Sequence, residues 1–143
     1  PFLLFLSPHP PHYTPFKFAP DHCYERLPKT LTLPANVPDH LLSASLDMYR
    51  HYLAMILAVD DMLGRLLDYL EQNKLVDNTI VLFASDHGTQ GGGQGVNPWS
   101  KKNPYENSIR IPALLRYPGV IEPGVSQRMT SMVDYFPTLW GLV

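Results

Sequence analysis

The chain has a single cysteine, so no disulfide can form within it and its redox compartment stays open. No uninterrupted apolar run approaches the roughly 18 residues that a membrane span needs. Neither charge dominates. The 11 Lys and Arg stand against 13 Asp and Glu, a net charge of −2, and the cations are dispersed, which excludes a nucleic-acid footprint. No signal peptide opens the sequence. It starts at Pro1, not Met, directly before an apolar run, so it is expected to begin inside a longer protein. Proline, by contrast, is plentiful: 15 residues, concentrated in the first and last thirds, which must therefore carry long extended loops. At 143 residues, 45% hydrophobic and 17% charged, the chain is one globular domain's worth and can bury a core.

The most informative stretch is Thr79-Ile80-Val81-Leu82-Phe83-Ala84-Ser85-Asp86-His87-Gly88. A continuous apolar run closed by Ser-Asp-His-Gly predicts a strand buried on both faces, as in a parallel sheet. The next residues, 89–95, are too Gly-rich for strand or helix. An acid and an imidazole thus stand at the carboxyl end of a buried strand, where ligands bind in open α/β sheets. Asp86 and Gly88 would also suit a plain turn, Asp by bonding the backbone two residues on.

Residues 1–7 form a second apolar run and predict another buried strand. The loop after it, residues 8–16, carries Pro8, Pro10, Pro11 and Pro15 and presents His9 and His12 at the same kind of strand end. Either imidazole could donate a proton or contact an anion, and either could be simply solvated. Residues 17–42 read as loop, because Pro20, Pro28, Pro34 and Pro38 recur too often for an element to develop. Cys23 has His22 beside it, but adjacent side chains rarely point the same way and no second Cys exists. A lone Cys reads as a small hydrophobe.

One long helix is predicted from Ser43 or Ser45, with Ser45 a candidate N-cap, to the turn at Asn73 and Val76-Asp77-Asn78. Tyr49, Leu53, Ile56, Met62 or Leu63, Leu66 or Leu67, and Leu70 fall on one face at helical spacing. About 28 residues would span about 42 Å, enough to cross a large sheet. Asp60 and Asp61, near Arg50 and Arg65, fit a salt-bridged edge better than a catalytic carboxylate pair. Strand, helix and strand make a right-handed crossover with parallel strands, which would bring His12 and Asp86 to one sheet edge. Residues 113–117 read as a further strand, and residues 131–142 as a helix capped by Ser131 or Asp134.

Five segments in this order resemble the sulfatase family of the alkaline-phosphatase superfamily: Phe-Leu-Ser-Pro-His-Pro-Pro-His, Val-Asp-Asp-Met-Leu-Gly-Arg-Leu-Leu, Asp-Asn-Thr-Ile-Val-Leu-Phe-Ala-Ser-Asp-His-Gly, Lys-Lys-Asn-Pro-Tyr-Glu-Asn-Ser-Ile-Arg-Ile-Pro and Val-Asp-Tyr-Phe-Pro-Thr-Leu. The resemblance covers nearly the whole chain. It implies an α/β fold, part of a three-layer α/β/α sandwich with a mostly parallel sheet, and hydrolysis of a sulfate ester. It also implies a divalent metal, usually Ca²⁺, and a formylglycine nucleophile made from a Cys-or-Ser-x-Pro-x-Arg motif. Carried over by position, Asp86 and His87 match metal ligands, His12 the histidine that contacts sulfate and assists the leaving group, and Lys101 the sulfate-binding lysine. A His where the family often has Asn keeps Mn²⁺ and Zn²⁺ beside Ca²⁺. Such groups suit a reaction that develops negative charge on the leaving oxygen.

Two parts of the family pattern are absent: the first metal-binding Asp pair and the nucleophile motif, since Cys23 is followed by Tyr24-Glu25. Residues 1–143 are thus expected to be a partial sulfatase catalytic domain, partnered by a missing N-terminal half and inactive alone. The alternatives are a phosphate or phosphonate ester hydrolase or mutase of the superfamily, and a non-catalytic remnant. Family members are often periplasmic, extracellular or lysosomal. Trp99, Tyr13 and Phe16 are compatible with stacking on a sulfated sugar and equally with packing.

Overall fold

The computed structural model describes residues 1–12 and 17–143. Tyr13 and Phe16 lie outside the described residues. The region expected to be all loop develops one short helix, Asp21–Glu25 (α1). Pro20 precedes it, where a fixed φ and a missing N–H do no harm to a helix start. α1 packs on the next helix through Cys23, which is fully buried with Ala19, Ala54 and Met55.

That next helix, Leu42–Gln72 (α2), has 31 residues and spans about 46 Å. Ser45 does not cap it. The helix is entered through a 3-10 turn at Asp39–Leu41, where the Leu41 N–H donates to the Pro38 carbonyl, and Ser45 lies a turn inside, fully buried. Its Oγ has no hydrogen-bond partner among the described residues. Asn73 ends the helix as expected, its Nδ2 donating to the Tyr69 carbonyl at 2.8 Å. The buried stripe runs through Ser45, Met48, Met55 and Leu70, the spacing of a single helical face. Asp61 is salt-bridged, but its partner is Arg26 from the end of α1 rather than Arg50 or Arg65.

After a 3-10 turn at Val76–Asn78, the chain enters Val81–Ala84 (β1). A one-turn helix, Glu106–Ile109 (α3), leads into Ala113–Arg116 (β2). The two strands pair antiparallel, with Val81 opposite Arg116 and Ala84 opposite Ala113. The expected parallel crossover is not formed among the described residues. β1 is only half-buried along its length, and its neighbour is the strand that comes after it, not residues 1–7. Residues 2–6 form no strand, and Leu3 and Phe5 are 95% and 86% exposed. A strand exists only where a neighbour bonds its N–H and C=O groups, and among the described residues none lies beside this run. The expected terminal helix is present as a 3-10 turn at Met132–Asp134 followed by Tyr135–Trp140 (α4). It opens with a reciprocal capping box, in which the Ser131 N–H donates to Asp134 Oδ2 at 2.7 Å.

Candidate functional site

Asp86 and His87 stand just beyond β1, where the apolar run gives way to a tight turn. The His87 N–H donates to Asp86 Oδ1 at 2.9 Å, a bond between neighbouring residues and not the one two residues on that an Asp makes in an Asx turn. The His87 ring turns back, with Nδ1 2.9 Å from the Gly88 carbonyl and Nε2 3.3 Å from Asp86 Oδ2. A carbonyl only accepts, so Nδ1 carries the proton. Nε2 is left beside a carboxylate oxygen, so one nitrogen and one oxygen donor atom stand side by side.

The loop that follows is held by its own backbone. The Gln90 N–H donates to the Ser100 carbonyl and the Gly91 N–H to Pro98, both at 2.8 Å, while Gly88 is bonded to Ser108. Asn107 Nδ2 donates to the Gln90 carbonyl, and Gln90 Nε2 donates to Ser108 Oγ inside a fully buried pocket. Two glycines seat the loop on α2. Gly91 has φ +61° and a Cβ there would lie 2.6 Å from the Tyr49 hydroxyl. At Gly92, φ +88°, a Cβ would strike Ser45 Oγ. Only glycine combines that backbone with that approach.

Lys101 leaves this loop and meets His12. Its Nζ lies 2.9 Å from His12 Nε2, although 89 residues separate them in the chain. The ammonium has no acceptor capacity, so it donates and the imidazole nitrogen accepts. His12 is presented by a turn in which its N–H donates to the His9 carbonyl at 2.9 Å, and the two imidazole rings lie 4.9 Å apart. Pro11, Tyr52, Thr89 and Trp99 join His12 and Lys101 around a hollow of about 40 Å³. Burial, and after it the nearby Tyr49, pushes the Tyr52 phenol up, so it stays protonated and able to donate. Asp86 and His87 are not among the lining residues, although Thr89 two positions on is. The structure therefore joins His12 to Lys101 and Asp86 to His87, as two pairs at the two ends of one loop.

Tyr52 and Thr89 are contributors that the sequence concealed. Tyr52 sits on α2 and reads there as one more amphipathic position, and Thr89 as one residue of a polar loop.

With this geometry in hand, the likeness to known proteins is specific. The sulfatase family model matches residues 1–143, and the chain belongs to the sulfatase family. An endo-4-O-sulfatase of Bacteroides thetaiotaomicron is 35% identical over 99% of this chain, and the match covers 28% of that protein. A solved structure from work on the metabolism of multiple glycosaminoglycans by the same species superposes with a TM-score of 0.80 at 35% identity, over 93% of this chain and 28% of that one. A third, solved in complex with its substrate D-glucosamine-2-N,6-O-disulfate, has a TM-score of 0.51 and 39% identity, over 62% of this chain and 18% of its own. These sulfatases have the alkaline-phosphatase-like α/β fold, and the chain spans about 28% of the length of the first relatives it matches.

Proposed function

We propose that this chain supplies the sulfate-contacting and part of the metal-binding machinery of a sulfuric ester hydrolase, within a three-layer α/β/α sandwich in which further strands flank β1. The observation that carries the proposal is the 2.9 Å contact of Lys101 with His12, two residues matched by position to the family's sulfate-contacting pair. The ammonium donates to a neutral imidazole in the absence of an anion. A sulfate ester lying against both offers better acceptors than the imidazole nitrogen, because charge-assisted bonds to an anion are the stronger ones. Lys101 then holds a sulfate oxygen. His12, in its protonated form, donates to the bridging oxygen as the S–O bond lengthens, delivering a proton to the leaving alcohol. Tyr52 and Thr89 supply further hydroxyls at the wall of the hollow.

Asp86 and His87 would hold one edge of a divalent-cation site. The support is the 3.3 Å between their donor atoms, close to the roughly 3.4 Å that separates neighbouring ligand atoms on a calcium ion with 2.4 Å bonds. One carboxylate and one imidazole are two ligands of the six to eight that calcium takes, so the site needs ligands from elsewhere. When bound, the cation would offset charge on the ester oxygens. The residues that match the family provide no nucleophile in this chain. A sulfated sugar is the substrate class we favour, because a relative at 39% identity was solved with a disulfated glucosamine.

The test is hydrolysis of an aryl sulfate and of a sulfated amino sugar. The 143-residue chain should stay at background. Joined to a segment that carries the Cys-or-Ser-x-Pro-x-Arg motif as formylglycine, it should turn over. Lys101→Ala and His12→Ala should then each lower kcat/KM by about two powers of ten or more, the scale of a lost oxyanion contact or general acid. Activity of the chain alone that vanishes in Cys23→Ala would refute the assignment. Faster turnover of the matching aryl phosphate would move it to phosphate ester hydrolysis.

A further inference from the structure

A second cluster of metal-ligating atoms lies away from the sulfate-contacting pair, between α1 and α2. His22 and Cys23 come from α1 and Asp61 from the middle of α2, 38 and 39 residues on. His22 Nε2 lies 3.2 Å from Asp61 Oδ2 and 3.4 Å from Cys23 Sγ, and Sγ lies 4.0 Å from the same carboxylate oxygen. Adjacent side chains usually diverge, but here the His22 ring folds over its neighbour's thiol.

We propose that His22, Cys23 and Asp61 form a binding site for a zinc-class transition-metal ion, which clamps α1 to α2. Three features carry it. The first is the shape of the donor triangle. A tetrahedral zinc with bonds of about 2.3 Å to sulfur and about 2.0–2.1 Å to nitrogen and oxygen sets its ligand atoms about 3.3 Å apart for N and O, and about 3.5 Å apart for each pair with S. The observed edges are 3.2, 3.4 and 4.0 Å, so the ion needs the thiol to move by only about half an ångström. The second is donor chemistry: one thiol, one imidazole and one carboxylate suit zinc or cobalt and do not suit calcium. The third is access. The His22 and Asp61 side chains are 60% and 35% exposed while Cys23 is fully buried beneath them, so an ion from solvent meets N and O first, then the sulfur. The fourth position is left for water.

Arg26 is part of the arrangement. Its Nη1 lies 2.7 Å from both oxygens of Asp61. On binding, the ion takes Oδ2, Arg26 keeps Oδ1, and the Cys23 thiol proton passes to solvent. The Arg26 hydrogen bond, and next that of His22, hold the Asp61 carboxyl below the usual carboxylate range, so no proton competes there. Burial and then Asp61 push the Cys23 thiol up, which leaves it unreactive until a metal lowers it again. Nothing in the sulfatase chemistry above uses these residues, and the site stands or falls separately from it.

The test uses cobalt as a visible stand-in for zinc on the full chain. One equivalent of Co²⁺ should give a sulfur-to-cobalt charge-transfer band and tetrahedral d–d bands, both bleached by one equivalent of Zn²⁺. Cys23→Ser should abolish the charge-transfer band, and His22→Gln, an exposed change that the fold tolerates, should weaken cobalt binding tenfold or more. Asp86→Asn with His87→Gln should leave the band intact, which separates this site from the one beyond β1. Should Cys23→Ser fail to fold, X-ray absorption of the cobalt-loaded native chain replaces it: one sulfur neighbour at about 2.3 Å from the metal is expected. Absence of the band, its survival in Cys23→Ser, cobalt affinity unmoved by His22→Gln, or a bound cobalt with no sulfur neighbour would overturn the proposal.

Discussion

Two glycine-to-alanine changes should have opposite signs, and the contrast probes how the site loop is held. At Gly92 the backbone has φ +88° and ψ −7°, a conformation that costs an L-residue about 1–2 kcal/mol. The new Cβ would also collide with Ser45 Oγ, with Val37 Cγ1 and Ser45 Cβ at 3.2 Å. Ser45 is fully buried, and its Cβ and Val37 Cγ1 crowd the site whichever way the hydroxyl turns, so overpacking adds about 1–3 kcal/mol. The expected loss for Gly92→Ala is therefore about 2–5 kcal/mol, a large share of the stability of a domain this size. Gly64 lies mid-way along α2, exposed, and a Cβ there meets nothing within 4 Å. Gly64→Ala should stabilise by about 0.5–1 kcal/mol through helix propensity alone.

Urea unfolding followed by helical circular dichroism gives both values. Amide exchange adds the link to the site: in Gly92→Ala the Gln90 and Gly91 amides, bonded to Ser100 and Pro98, should exchange faster while the centre of α2 is unchanged. Adding Ser45→Gly should recover the steric part, so that the double variant loses less than the sum of the singles. Equal stability of Gly92→Ala and the parent, with unchanged exchange at Gln90 and Gly91, would refute the seating of this loop on α2.

Two further outcomes are expected. The Asp61 carboxyl is held low by Arg26 first and His22 second, so its folded pKa lies below its unfolded one. The stabilisation is therefore full above the ordinary carboxylate range and is lost as pH falls through the folded value. Melting temperatures taken from about pH 6 to about pH 2 should show an acid slope that flattens in Arg26→Gln, and an identical slope in that variant would count against the ion pair. Calcium should bind the isolated chain weakly or not at all, since Asp86 and His87 offer one carboxylate and one imidazole where six or more ligands are wanted. Tight, stoichiometric calcium binding by calorimetry would contradict this.

Local signals were read well from the sequence, and partnerships were not. The limits of α2 at Asn73, the strand at Ala113–Arg116 and the Ser131–Asp134 capping box depend on neighbours within a few residues, where spacing alone carries the physics. The strand expected at residues 1–7 depended on a ladder partner, and no local pattern supplies one. Burial misled at Ser45 for a related reason. A Ser before an apolar run resembles a cap, yet Pro38 and the 3-10 turn start the helix earlier and leave the hydroxyl inside. Cys23 reads from the sequence as a hydrophobe, and its packing on Ala54 and Met55 agrees with that. The approach of Asp61 from another helix could not be seen from Cys23 and His22 alone.

The sheet and the site loop are also less dependent on each other than the resemblance suggested. Lys101 is positioned by bonds inside residues 88–108 and by two glycines lying against α2, none of which involves a strand neighbour. A hydrogen bond between Gln90 and Ser100 fixes the loop's return whether β1 has one neighbour or several. His12 has a different support: its turn follows a run with no ladder partner among the described residues, and its Nε2 meets Lys101 across 89 positions of sequence. The lysine is thus held from within its own loop, and the histidine reaches it from a separate segment of the chain. If His12 is the acid proposed above, a small misplacement of its ring would lower kcat, since general-acid catalysis tolerates little misplacement.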